Sequence, residues 1–190
     1  MSTASDAPVL SRAAAWDLVC RHVQDPNLRR HMLAVEIVMR AYARELGENE
    51  DVWGITGLLH DFDWEIHPTA AEHPELGCRM LEEIGWPAPI VRAIRGHATY
   101  LNVPRDTPLA RALFASDEIT GFVGAVVLVR PNKTIREVTA HSVLKKLKDK
   151  SFAAKVDRDE VRLAAQEFEV DLNEHIAFII AALADTYDSL

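Results

Sequence analysis

The sequence predicts an all-α protein, and three observations carry that prediction. Apolar residues recur at three- and four-residue spacing through every long segment, as one buried face of a helix requires. Proline and glycine fall at the ends of those segments, with Ser, Thr or Asp placed where a helix N-cap belongs. No stretch alternates polar and apolar over the length of a strand, and no repeat or low-complexity tract interrupts the pattern.

Taken in order, Ser11 caps a first helix reaching about Val23, with Trp16, Val19 and Cys20 on one face. Asp25-Pro26 restarts the chain, an Asp N-cap followed by proline at the first helical position, where its missing N–H costs nothing. That helix runs to Leu46 and stops at Gly47. Its stripe Leu28, His31, Val35, Val38, Tyr42 turns His31 inward among apolar residues. The next helix leads from about Glu50 to His60-Asp61. Gly54 and Gly57 cost it roughly 1 kcal/mol each relative to alanine, and they leave room for a neighbouring helix on the face that leads to the pair.

Residues 62–72 read as a polar loop, and His73-Pro74 opens a helix ending at Gly85 with Leu76, Met80, Leu81 and Ile84 as its apolar side. Trp86 to Pro89 turns the chain into a short helix carrying Ile90, Val91 and Ile94 toward His97. Thr107-Pro108 starts a longer helix whose stripe Ala110, Leu113, Asp117, Gly121, Gly124, Leu128 sets one aspartate in a small, apolar face. Pro131-Asn132 ends it, with Gly121 a place for an earlier bend. Thr134 with Glu137, Asp157 with Glu160 and Asp171 with Glu174 match the reciprocal capping pattern, which places three more helices at roughly 135–149, 158–169 and 172–186.

At 190 residues the chain fits a single domain, with residues 1–10 a loose arm, the motif-bearing core at about 25–130 and the C-terminal helices behind it. A hydrophobic share of 48% and a charged share of 26% are those of an ordinary globular protein. The formal net charge of −8 argues against a binder of nucleic-acid duplexes or anionic membranes, but not against a small phosphorylated ligand. The start shows no secretory pattern and no stretch reaches the length of a membrane span. Cys20 and Cys78 are far apart and read as reduced thiols. The expectation is a cytoplasmic protein, with a homo-oligomer left open.

His60-Asp61 taken alone reads as a helix end facing water. It changes meaning beside His31, His73, His97 and Asp117, inward or helix-end candidates that lie on separate helical segments. A helical bundle can converge such residues on one cavity, and imidazole with carboxylate suits a divalent cation. His31, His60, Asp61 and Asp117 would form one site, and His73 and His97, with Asp61 bridging, a second beside it. Two such ions can activate a water and clamp the oxygens of a phosphoryl group.

The order H…HD…H…H…D resembles the HD-domain superfamily of metal-dependent phosphohydrolases, and within it the small bacterial HDIG-type proteins. The resemblance is carried by LRRHMLAVEIVMRAY from Leu28, WGITGLLHDFDW from Trp53, HPELGCRML from His73, VRAIRGH from Val91, ASDEITGFVGAVVLV from Ala115 and SVLKKLKDKSFA from Ser142. It covers about residues 25 to 185. It implies an HD-domain helical bundle, one or two divalent ions (Mn, Mg, Fe, Ni or Zn), and His31, His60, Asp61 and Asp117 as ligands. His73 and His97 follow from the binuclear branch, with His67-Pro68 competing for the place of His73-Pro74. The family's HDIG reads HDFD here. The missing second histidine at Ala98 and the missing GYP-like motif speak against a cyclic-di-GMP phosphodiesterase, and HDFDWE does not match the HDxxED of guanosine tetraphosphate hydrolases.

The expected activity is hydrolysis of a small phosphate ester, nucleotides included, by metal-activated water. Asp61 bridges or orients that water, and Asp63 or Glu65 is a candidate acid for the leaving group. Arg95, Lys145 and Lys146 are candidate phosphate contacts, although a solvated face is the plainer reading of the run Lys145, Lys146, Lys148, Lys150, Lys155. His22, His141 and His175 read as structural or surface. Two alternatives stand beside the hydrolase: an HD-type di-iron oxygenase, whose ligand order is the same, and a metal-retaining ligand-binding or regulatory module.

Overall fold

The computed structural model describes residues 11–190, so the expected loose arm of residues 1–10 lies outside the described residues. The all-α prediction holds: the described residues form α1 (Arg12–His22), α2 (Pro26–Leu46), α3 (Glu50–Leu59), α4 (Glu75–Glu83), α5 (Ala88–His97), α6 (Pro108–Leu128), α7 (Ala140–Leu147), α8 (Arg158–Glu167) and α9 (Leu172–Leu183), with short 3-10 turns and no strand. The caps read from sequence begin several of them. Ser11, Asp25, Thr107, Asp157 and Asp171 each accept backbone N–H groups at their helix starts, and Gly47 closes α2 with φ at 71°, a left-handed conformation that suits glycine.

Helix α2 packs along α3, and glycine sets how close they come. A Cβ on Gly57 would lie 3.0 Å from Val35 O and 3.1 Å from Glu36 N, so only a bare Cα admits the backbone of α2 there. Helix α6 crosses the same α2 and also touches α5, α8 and α9. A contiguous apolar core runs through these helices, with Met32, Met39, Leu58, Leu59, Phe62, Leu81, Ile94, Leu113, Phe122 and Ile176 all fully buried. Burying each such side chain is worth about 1.5–3 kcal/mol.

Two polar devices sit within that core. Glu36, 3% exposed, receives Arg12 through two hydrogen bonds of 2.8 and 3.0 Å and Arg40 through one of 3.0 Å, which ties α1 to α2. His175, read from sequence as structural or surface, is structural. Its Nε2 donates to Ala115 O at 2.8 Å and its Nδ1 accepts from the Tyr42 hydroxyl at 2.5 Å, joining α2, α6 and α9.

Several expectations are corrected. Helix α6 passes Gly121 without a break, and Leu128, the end of its expected stripe, is 58% exposed. Ile84 is also exposed, because the buried face of α4 is made by Gly77, Cys78 and Leu81. The reciprocal capping box forms at Thr139 and Ser142 rather than at Thr134 and Glu137; Glu137 turns back to hold Asn132 instead. Helix α7 is correspondingly shorter than expected. Both cysteines are free thiols, and burial pushes Cys78 up to about 12, where it stays protonated and inert. No helix among the described residues is long and apolar enough to cross a membrane.

Candidate metal centre

Five segments deliver the six candidate side chains to one place: His31 from the second turn of α2, His60 and Asp61 from the end of α3, His73 from just before α4, His97 from the last residue of α5, and Asp117 from the middle of α6. Donor atoms of His31, His60, Asp61 and Asp117 lie within 4.8 Å of one another, and so do those of Asp61, His73 and His97. His31 Nε2 stands 3.2 Å from His60 Nε2 and 3.0 Å from Asp117 Oδ1. His73 Nε2 stands 3.3 Å from His97 Nε2. Asp61 is shared. Its Oδ2 faces His60 at 3.4 Å and His31 at 3.9 Å, while its Oδ1 faces His73 at 3.4 Å and His97 at 3.6 Å.

The outer ring nitrogens fix the orientation of three of these imidazoles. His60 Nδ1 donates to Gly57 O at 2.7 Å and His97 Nδ1 to Ile94 O at 2.6 Å, each the carbonyl three residues back in its own helix. His73 Nδ1 donates to Asp63 Oδ1 at 2.8 Å. With a proton on each Nδ1, the rings turn their Nε2 atoms toward one another and toward the carboxylates, a place that calls for a shared positive charge, a proton or a metal ion. Imidazole nitrogens and carboxylate oxygens in such sets fit a divalent transition metal or manganese.

The electrostatics agree with that fit. Burial disfavours charge on His60, yet Asp61 and Asp117 outweigh it and raise this imidazole well above its ordinary value. Burial likewise opposes the charge on His73, but the hydrogen bonds it donates to Asp61 and Asp63 carry it up to about 9. Against the same burial, His60 holds both Asp61 and Asp117 well below the usual carboxylate range. The carboxylates stay ionised, and they favour positive charge at the imidazoles beside them.

A cavity of about 390 Å³ opens onto both donor sets. Its other walls include Trp64, Tyr100 and Phe114, the acidic residues Glu118 and Glu160, and Thr99 and Val156. Burial, then the neighbouring Asp117, pushes Glu118 up to about 8. The Tyr100 hydroxyl donates to His73 O at 2.7 Å, and the edge of Trp64 meets the His73 ring with centroids 4.9 Å apart. From sequence Trp64 reads as a core or cavity-wall aromatic; the other wall residues are not expected there. Glu118 could have been, as the neighbour of Asp117; Glu160 reads from sequence only as the capping partner of Asp157, which gives no sign of the cavity.

Of the residues expected to act on substrate, Asp61 lines the cavity, whereas Asp63, Arg95, Lys145 and Lys146 are absent from its wall. Asp63 is 1% exposed and turned from the cavity, its second oxygen accepting from Gly77 N at 3.1 Å. A Cβ on Gly77 would sit 2.4 Å from the Asp63 carboxyl carbon, which explains the glycine of HPELG. Both Asp63 oxygens are thus taken up by His73 and Gly77 rather than open to the cavity. Glu65 accepts from the backbone N–H groups of Gln24 and Asp25 and so fixes the α1–α2 turn. Arg95 is paired with Glu75 at 2.7 Å and Glu82 at 3.0 Å, while Lys145 and Lys146 sit on α7, away from the cavity wall. His67 joins neither donor set.

Residues 28–121, which hold all six side chains, match the family model of the HD domain. The chain belongs to the HD-domain superfamily. The chain is also 33% identical over 96 residues to Ribonuclease Y of Syntrophobacter fumaroxidans (strain DSM 10017 / MPOB), a match covering 50% of this chain and 18% of that protein. The chain thus spans under a fifth of that curated relative's length. No solved structure matches. Helices α7 to α9 lie beyond the HD match, yet α8 supplies Glu160 to the cavity and α9 braces α2 and α6.

Proposed function

We propose that the protein is a metal-dependent phosphohydrolase that uses two divalent ions to hydrolyse a small phosphate monoester. The sharing of Asp61 carries this reading: one carboxylate serves two donor sets that open on a single cavity. His31, His60, Asp61 and Asp117 would hold one ion, and Asp61, His73 and His97 the other. When bound, such ions acidify a coordinated water and stabilise charge developing on phosphoryl oxygens.

The chain's own residues do the rest. His60 and His97 are locked by their backbone hydrogen bonds, and His73 by Asp63, so the donors are preorganised before any ligand arrives. With Asp63 turned away, the proton for the departing alkoxide falls to Glu118 or Glu160, the remaining acidic residues of the wall. Trp64, Tyr100 and Phe114 offer aromatic surface to the organic part of the ester.

The cavity wall is formed without lysine or arginine among the described residues. Phosphate charge inside the cavity would therefore be met at the metal centre, and a polynucleotide backbone entering it would meet no lysine or arginine on its wall. That favours a small ester over RNA, although the curated relative is by name a ribonuclease.

The test combines metal analysis with a panel of phosphate monoesters. The metal-loaded protein should release phosphate, and Asp61→Ala and His60→Ala should lose both ions and activity together. Phosphate release by metal-free Asp61→Ala protein, or dioxygen consumption without phosphate release, would refute it.

A further inference from the structure

At the metal centre, His31 is the exception among the four imidazoles. The outer nitrogens of His60, His73 and His97 are each answered by a protein acceptor, whereas His31 Nδ1 has no partner among the described residues. His31 and Gly121 line both the cavity described above and a second one of about 220 Å³, and the Nδ1 edge of the ring faces Gly121, where an added Cβ would lie 3.6 Å from it.

The second cavity has the opposite chemistry to the first. Asn27, Arg30, Thr120 and Tyr187 line it, and no Asp or Glu does among the described residues. Arg30 lies over the Tyr187 ring at 4.4 Å and donates to Tyr187 O at 3.0 Å, but it has no carboxylate partner among the described residues. Its Nε is buried without an acceptor, as is the Thr120 hydroxyl.

We propose that this second cavity binds a small oxyanion, a phosphate, sulfate or carboxylate group, which accepts the Nδ1–H of His31 and neutralises Arg30. The inference rests on the reading of His31 as a metal ligand, since an Nε2 committed to a cation leaves the neutral ring's proton on Nδ1. Water could fill such a space and accept these N–H groups, but it would bring no negative charge to a guanidinium whose nearby carboxylate, Asp188, forms no direct ion pair with it among the described residues. An anion that takes the Nδ1 proton in a hydrogen bond makes Nε2 a better donor to the metal. Anion and metal then strengthen each other's binding, and by linkage the effect is reciprocal.

Manganese binding to the full chain, measured by calorimetric titration with and without saturating inorganic sulfate, tests this. Sulfate should tighten metal binding to the wild-type protein by about tenfold, the scale of an outer hydrogen bond to a metal-bound histidine. The gain should vanish in Arg30→Met and shrink in Thr120→Val, which keeps the shape of the side chain and does not depend on the first variant folding. Sulfate landing directly on the metal would act equally in all three proteins, and that outcome, like the absence of any gain in the wild type, overturns the proposal. Inorganic phosphate and acetate in place of sulfate then tell which anion the cavity prefers. Failure of the wild type to bind manganese, magnesium, iron, nickel or zinc would refute the metal centre itself, whereas tight binding indifferent to anions would refute the second cavity alone.

Discussion

Replacing Asp63 by asparagine should separate the two donor sets. The carboxylate is 1% exposed, and each oxygen has one job: Oδ1 receives His73 Nδ1 at 2.8 Å and Oδ2 receives Gly77 N at 3.1 Å. Asparagine keeps the shape but has a single acceptor. If its oxygen stays with His73, its NH2 confronts the Gly77 N–H; if the amide flips, it confronts the His73 Nδ1–H. One buried donor goes unpaired either way, at about 1–3 kcal/mol of stability. The charge that makes His73 a stronger ligand is lost as well, and outer partners of this kind are worth about 10–100-fold in metal affinity, or roughly 1.4–2.7 kcal/mol. Titration of Asp63→Asn against a competing chelator should therefore show one ion held as in the wild type and one weakened by that factor. His31, His60 and Asp117 do not touch Asp63, so the first set has no reason to change. Two ions weakened equally, or none weakened, would refute the assignment of Asp63 to His73 alone.

Other substitutions test the scaffold. Gly57→Ala should destabilise the fold by about 1–3 kcal/mol in chemical denaturation, because the added Cβ meets Val35 O at 3.0 Å and this overpacking outweighs the helix propensity gained. Tyr42→Phe should lower the thermal midpoint by about 1–2 kcal/mol equivalent, since it strips the buried His175 Nδ1 of its donor. Burial holds His175 below the ordinary imidazole range, with the Ala115 hydrogen bond only partly offsetting it. The unfolded chain then takes up a proton, near pH 6.5, before the folded one does. This group's stability is complete above about pH 6.5 and is lost as pH falls below it. His175→Phe should flatten that part of the curve of stability against pH. Dialysis against a chelator should lower the thermal midpoint, with about 2.7 kcal/mol restored when metal is returned at a hundred times its Kd.

Much of this architecture was legible in the sequence because its signals are local. Caps at Ser11, Asp25 and Thr107 and the stop at Gly47 depend on a residue and its neighbours within one turn. The six converging side chains were legible for a related reason, since each interrupts an apolar face or ends a helix. What was not legible depends on contacts between segments. Asp63 follows the His60-Asp61 pair so closely that chemistry seemed its natural task, yet Gly77, fourteen residues on, claims its second oxygen. Arg95 looked free beside His97 until α4 supplied Glu75 and Glu82. Glu160 reaches the cavity only because α8 folds across α6, and the exposure of Leu128 follows from where α6 outruns its neighbours rather than from its periodicity.

The manner in which His60 and His97 bond their own helices has a consequence for cation preference. Each ring closes on the carbonyl three residues back, so α3 and α5 both terminate at the donor atoms. The end of a helix carries about half a negative charge spread over its last free carbonyls. Two such ends therefore add backbone polarity to that of Asp61 and Asp117, and no side-chain substitution can remove it. A scaffold given the same six residues on helices that run past the site would reproduce the ligand set without this field. Lengthening α3 or α5 by a single turn should thus weaken cation binding even with every donor side chain in place.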